Sequence, residues 1–164
     1  MRFDKFTNQL QTALSDAQSL AIGRDNNQID PAHLLLALVE QESGSIRPLL
    51  SQAGVNVAQL RQALAAKLDS LATVSSPTGE VQMSQELVRL LNLADRLSQK
   101  KGDKFISSEL VLLAALDENG ELAKLLQSSG ADRKLLEQAI ERVRGGQAVD
   151  DPEAEGSRQA LEKY

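Results

Sequence analysis

Leu10-Gln11-Thr12-Ala13-Leu14-Ser15-Asp16-Ala17-Gln18-Ser19-Leu20 and Leu87-Val88-Arg89-Leu90-Leu91-Asn92-Leu93-Ala94-Asp95-Arg96-Leu97 are one apolar pattern written twice, 77 residues apart. Leu10, Leu14, Ala17 and Leu20 fall on Leu87, Leu91, Ala94 and Leu97, the three-and-four spacing that puts one face of a helix on a core. At the same offset Ile29 meets Ile106, and Leu35-Leu36-Ala37 meets Leu112-Leu113-Ala114. One residue is lost near Glu42/Glu118, and at the new offset of 76 Leu49, Leu50, Gly54, Leu60 and Ala63 meet Leu125, Leu126, Gly130, Leu136 and Ala139. An internal repeat of this length implies duplication of one structural unit.

Each unit reads as four helices. In the first they run about Asp4 to Ile22, Pro31 to Gln41, Ile46 to Gln52 and Val57 to Leu68; in the second, about Gln85 to Lys100, Ser108 to Asp117, Glu121 to Ser128 and Arg133 to Val143. Asp30, Asn56, Ser84, Ser107 and Asp132 are placed to cap helix starts, Pro31 suits a first turn, and Gly54 and Gly130 supply left-handed stops. Neither unit contains an alternating β-branched run. The fold class expected is all-α: two tandem four-helix repeats packed with pseudo-twofold symmetry.

These assignments divide the chain into one folded domain over residues 1–144, with repeat one at about 1–68, a connection at 69–83 and repeat two at about 84–144. Residues 145–164 open on Gly145-Gly146, turn acidic at Asp150-Asp151-Pro152-Glu153-Ala154-Glu155-Gly156 and carry little to bury, so they read as a flexible acidic linker. The final Gln159-Ala160-Leu161-Glu162-Lys163-Tyr164 regains helical propensity and reads as the beginning of a further segment.

Composition narrows the chemistry. Aromatic residues make up 2% of the chain, so Leu, Ala, Ile and Val must build the core, and the absence of Cys excludes disulfides, thiolate metal sites and cysteine nucleophiles. With net charge -5 and charges of both signs interspersed, nothing draws the chain to phosphate backbones or anionic lipid. No apolar run approaches a membrane span, and the chain is expected to be cytoplasmic, with neither nucleic-acid nor membrane partners. His33 is the single imidazole, it follows Asp30-Pro31-Ala32 at a helix start, and it reads as a packed or capping residue. Without a nucleophile and base, a metal-ligand cluster or a glycine-rich phosphate loop, the chain is expected to be a non-catalytic binding module that carries no cofactor.

Positions that are apolar in one repeat and polar in the other cannot all be required by the shared fold. Val88 answers to Gln11, Leu93 to Asp16 and Leu110 to His33. Leu93 points about 100° away from the core direction of its helix. Such side chains either seal one repeat against the other or, with Leu97, line an exposed groove for extended apolar segments. Thr7, Asp103 and Glu109 could orient a peptide backbone at the rim, or cap helices. Burying ~400 Å² at ~25 cal/mol per Å² gives on the order of 10 kcal/mol gross, most of which association and ordering offset, so binding should be micromolar or weaker.

Met1-Arg2-Phe3-Asp4-Lys5-Phe6-Thr7, Ala17-Gln18-Ser19-Leu20-Ala21, Asp30-Pro31-Ala32-His33-Leu34-Leu35 and Phe105-Ile106-Ser107-Ser108-Glu109-Leu110 together resemble the N-terminal domain of the ClpB family of protein disaggregases. The resemblance implies an AAA+ chaperone that forms a homohexameric ring, threads aggregated polypeptide with ATP and Mg held in nucleotide-binding domains outside this stretch, and works with the DnaK system. This fragment would be the mobile recognition domain, monomeric by itself, binding unfolded or aggregated polypeptides. Positions matching Thr7, Asp103 and Glu109 and an apolar groove matching Leu93, Leu97 and Leu110 are associated with substrate handling in that family; Val88 joins the expected set from the repeat comparison. Related domains of ClpA and ClpC dock adaptor proteins, which is the alternative function. Their Gly-Thr-Glu-His-type second-helix start is replaced here by Asp30-Pro31-Ala32-His33 and Ser107-Ser108-Glu109-Leu110, favouring ClpB.

Overall fold

The computed structural model describes residues 3–42, 44–74 and 81–155. A 3-10 turn at Phe3–Lys5 leads into α1 (Asn8–Gly23), followed by β1 (Gln28–Ile29), α2 (Pro31–Glu40), α3 (Ile46–Gln52) and α4 (Val57–Asp69). Repeat two contributes β2 (Gln82–Met83), α5 (Gln85–Lys100), α6 (Ser108–Glu118), α7 (Glu121–Ser128) and α8 (Arg133–Arg144). The all-α, duplicated architecture is as expected. Most boundaries agree within a residue; α1 starts later than Asp4 because Thr7 takes the N-cap, its side chain accepting from Leu10 N.

The caps are sequence-local chemistry. Asp30 accepts from Ala32 N while His33 Nδ1 accepts from Asp30 N, a reciprocal box at the start of α2. Asn56, Ser84 and Asp132 accept from Gln59, Leu87 and Leu135 N. Gly54 and Gly130 hold φ of +85° and +102°. Ser107 departs from expectation: its side chain makes no cap bond.

Two short parallel pairings also depart from the strand-free reading. Ile29 is registered with Met83 in the β1–β2 pair, and Phe6 bridges Ile106. The two are symmetry mates, since 29 maps to 106 and 6 to 83 at the repeat offset. Thr7 N donates to Ile106 O and Ser84 N to Ile29 O, both at 3.0 Å. Each repeat thus pairs its strand with the other repeat. The helices follow the same exchange, with α3 packed on α8 and α4 on α7.

At the centre lie α2 and α6. Every residue from Pro31 to Val39 and from Ser108 to Leu116 is buried. A helix wrapped on all sides has no solvent stripe. The other helices are covered on one face only: α5 buries Leu87, Leu90, Leu91, Ala94 and Ser98.

Candidate functional site

The burial of α6 decides the fate of several expected site residues. Leu110 is 0% exposed and belongs to the core, so it is a correction to the groove reading: its difference from His33 reflects a different buried neighbour, not a free surface. Glu109 and Thr7 are also sealed, at 1% and 0%. The Asp103 side chain is 0% exposed. No direct contact with a client is available to these four side chains as they stand.

Arg144 gathers the acids. As the last residue of α8, it brings a cation to a helix C-terminus, while Glu109 brings an anion to the first turn of α6, so both complement the backbone dipoles. Arg144 Nη1 donates to Asp103 Oδ1 at 3.0 Å and Nη2 to Ser107 Oγ at 3.1 Å; Nε lies 3.5 Å from Glu109 Oε1. This explains why Ser107 does not cap α6, its hydroxyl oxygen being taken by the guanidinium. A planar fork with fixed donors suits a buried two-acid site better than an ammonium would.

Residues 147–155 do not behave as the free linker read from their composition. They form a strap laid back over the domain. Val149 is 2% exposed; its carbonyl accepts from Lys104 N at 2.8 Å and Phe105 N at 3.2 Å, and its N–H donates to Asp103 Oδ1 at 3.0 Å. Pro152 O accepts from Asn8 N at 2.9 Å, and the Asn8 amide also reaches Glu153. The strap ends in Glu155, which is 0% exposed. Its carboxylate accepts from Thr7 Oγ1, from Ser45 Oγ at 3.0 Å and from Ser108 N at 3.2 Å. Burial, then the neighbouring Glu109 carboxylate, push the Glu155 carboxyl above its ordinary range against these bonds.

Leu93 and Leu97 are half-buried on α5 and only partly packed on the core. By the helical advance of about 100° per residue they share a flank with Glu86 and Arg89, whereas Val88, also half-buried, lies on the opposite flank. Glu86 and Arg89 form one wall of a 410 Å³ cleft between the repeats, faced by Asp30, Pro31, Ala32 and Lys67 from repeat one and by Leu122 and Leu125 from α7. The cleft thus has an apolar floor and a charged rim of both signs. Surplus apolarity between the repeats marks Leu93 in the sequence, whereas Leu97 matches Leu20 and enters only as part of the expected groove; Arg144 and Glu155 leave no such signal. Phe3, Ile22 and Leu135, each nearly half exposed, also went unmarked because they stand singly in their patterns.

Among the described residues no His/Cys/Asp/Glu cluster could hold a metal, and no helix is long and apolar enough to cross a membrane. The sequence profile of the Clp repeat (R) N-terminal domain matches residues 5–129, spanning both repeats. The chain belongs to that family. It is 61% identical, over its whole length, to the chaperone protein ClpB of Pseudomonas putida, of which it spans 19%. The Hsp104 N-terminal domain from Candida albicans superposes with a TM-score of 0.81 at 20% identity, over 92% of this chain and 99% of that one. A complex of the ClpV N-domain with a VipB peptide superposes at 0.70 and 28% identity, over 88% of this chain and 90% of that one. This Clp repeat domain is a chaperone N-terminal domain, a binding domain and not a catalytic AAA+ module.

Proposed function

We propose that the chain is the polypeptide-recognition domain of an ATP-dependent disaggregase, holding apolar segments of unfolded or aggregated proteins weakly and releasing them to a ring of AAA+ modules. In the full-length setting this reading entails a cytoplasmic homohexamer, nucleotide and magnesium confined to the AAA+ modules, and cooperation with the DnaK system. The supporting observation is the partly buried Leu93–Leu97 flank of α5, on the same side of that helix as Glu86 and Arg89 of the inter-repeat cleft. An extended segment could lay one apolar residue on this flank and another toward Leu122 and Leu125, while Glu86, Arg89 and Lys67 meet its backbone or polar side chains. Asp103 and Glu109 serve this reading from within by tying the start of α6 to Arg144 of α8, Thr7 by holding Ile106 and Glu155, and Leu110 as part of the core. The ClpV N-domain, which holds a peptide in its solved complex, supports polypeptide as the ligand class.

Amide NMR during titration with an unfolded, apolar-rich client tests the proposal. Shifts should centre on Leu93 and Leu97, and Leu93→Ser should weaken binding several-fold, since a lost leucine contact is worth about 1.5 to 3 kcal/mol when fully buried and less here. Binding that ignores Leu93→Ser, or that occurs only with folded adaptor proteins, would sink it.

A further inference from the structure

α2 and α6 occupy equivalent places in the two repeats, but their first turns are closed differently. In α2 the closure is internal: Asp30 accepts from Ala32 N, His33 returns the favour to Asp30 N, and Pro31 has no N–H to satisfy. In α6 the matching residues are Ser107, Leu110 and Ser108. Ser107 gives no cap bond, Leu110 has no acceptor to offer, and Ser108 carries an N–H where its counterpart has none. A carboxylate 47 residues further on supplies what the helix lacks, Glu155 accepting from Ser108 N.

Three separate stretches converge on that carboxylate. Thr7 comes from the start of α1, Ser45 from the residue before α3 and Ser108 from α6, so both repeats contribute donors to one anionic group. Ser108 Oγ is buried beside the same carboxylate, so its hydroxyl joins the donors that favour a charged oxygen there. The Arg144 guanidinium closes the neighbourhood through Ser107, Asp103 and Glu109.

Apolar packing contributes little to holding Glu155 in place. Of residues 147–155, Val149 is the one fully buried apolar side chain, and Asp150, Asp151 and Glu153 stand exposed. The strap relies on a handful of hydrogen bonds and its tether. A tethered group acts at an effective concentration on the order of mM, enough to mask a site from dilute competitors without closing it permanently.

We propose that Thr7, Ser45 and the first turn of α6 form a carboxylate-binding cradle, filled in cis by Glu155, which an acidic side chain of a bound polypeptide takes over when the 147–155 strap lifts. The inference deepens the polypeptide-binding reading by adding a recognised chemical group, but its geometry does not depend on the Leu93–Leu97 flank. The strap is then a built-in competitor, and a ligand sees the cradle at full strength only after displacing it.

The test uses the full chain and a seven-residue glycine–serine peptide with one central glutamate and both ends blocked, which has no apolar side chain to engage α5. In Glu155→Ala the peptide should shift the Ser108 and Leu10 amides and bind at least about tenfold tighter than to the parent chain. The glutamine version should not bind, and Thr7→Val added to Glu155→Ala should abolish the effect. A glycine–serine peptide with a free C-terminus and no glutamate separates a chain-end carboxylate from a side chain, and only the glutamate peptide should bind strongly. If Glu155→Ala does not fold, Val149→Ser loosens the strap without touching the cradle and should raise affinity in the same direction. Equal binding of glutamate and glutamine peptides, a silent Ser108 amide, or no gain in the folded variant overturns the proposal. Because the probe lacks apolar groups, failure here leaves client binding at Leu93 and Leu97 to be judged by its own titration.

Discussion

His33 shows how one side chain ties a helix start to acidity. Its ring is neutral, Nδ1 accepting from Asp30 N at 2.8 Å and Nε2 meeting Asn26 Oδ1 at 3.0 Å. Burial, offset in part by the Asp30 carboxylate and aided by Arg24, holds its pKa below the ordinary 6.5. The unfolded chain therefore takes up a proton that the folded chain resists, so the stability that neutral His33 provides is present above 6.5 and is lost as pH falls toward the folded value. The midpoint of thermal unfolding should drop as pH is lowered below 6.5, and part of that slope should vanish in His33→Gln. An unchanged slope in the variant would place the sensitivity in the carboxylates. His33 as a capping residue was legible in the sequence because its partner, Asp30, lies three residues away. Arg144 and Glu155 were not, because their partners Ser107 and Ser108 lie 37 and 47 residues distant, and composition alone makes Glu155 another acid in a polar stretch.

At the scale of elements, the two glycine stops are unequal. Gly54, at φ +85°, has open space where a Cβ would stand, whereas a Cβ on Gly130, at φ +102°, would lie 2.9 Å from Gly54 O. Gly54→Ala should cost about 1 kcal/mol for its left-handed backbone, and Gly130→Ala about 2 kcal/mol or more, because backbone cannot yield as a flexible side chain does. Urea midpoints compared between the two variants check the order. Helix boundaries were readable because caps and glycines act within a turn of where they are written. The two-residue strands were not, since a pairing so short leaves no alternation to detect. Leu93 stood out because α5 has one core face against which a surplus shows; α6 has none, and there a repeat comparison cannot separate exposure from a changed neighbour.

Across the whole molecule the repeats are interlocked rather than adjacent. The Ile29–Met83 and Phe6–Ile106 pairings, with α3 on α8 and α4 on α7, leave neither repeat with a core boundary of its own. Denaturant unfolding should therefore be a single transition, with amides of Leu35 in repeat one and Leu112 in repeat two losing protection at the same midpoint. Two separated midpoints would mean that the halves fold independently. The reciprocity of those pairings has an evolutionary corollary. A half-length chain would meet a second copy of itself through the same two pairings, an isologous dimer, and joining the copies end to end preserves every one of those contacts. In such a dimer any change at the helix start is made on both sides at once, whereas a joined chain can carry Asp30, Pro31 and His33 on one side and Ser107, Ser108 and Leu110 on the other.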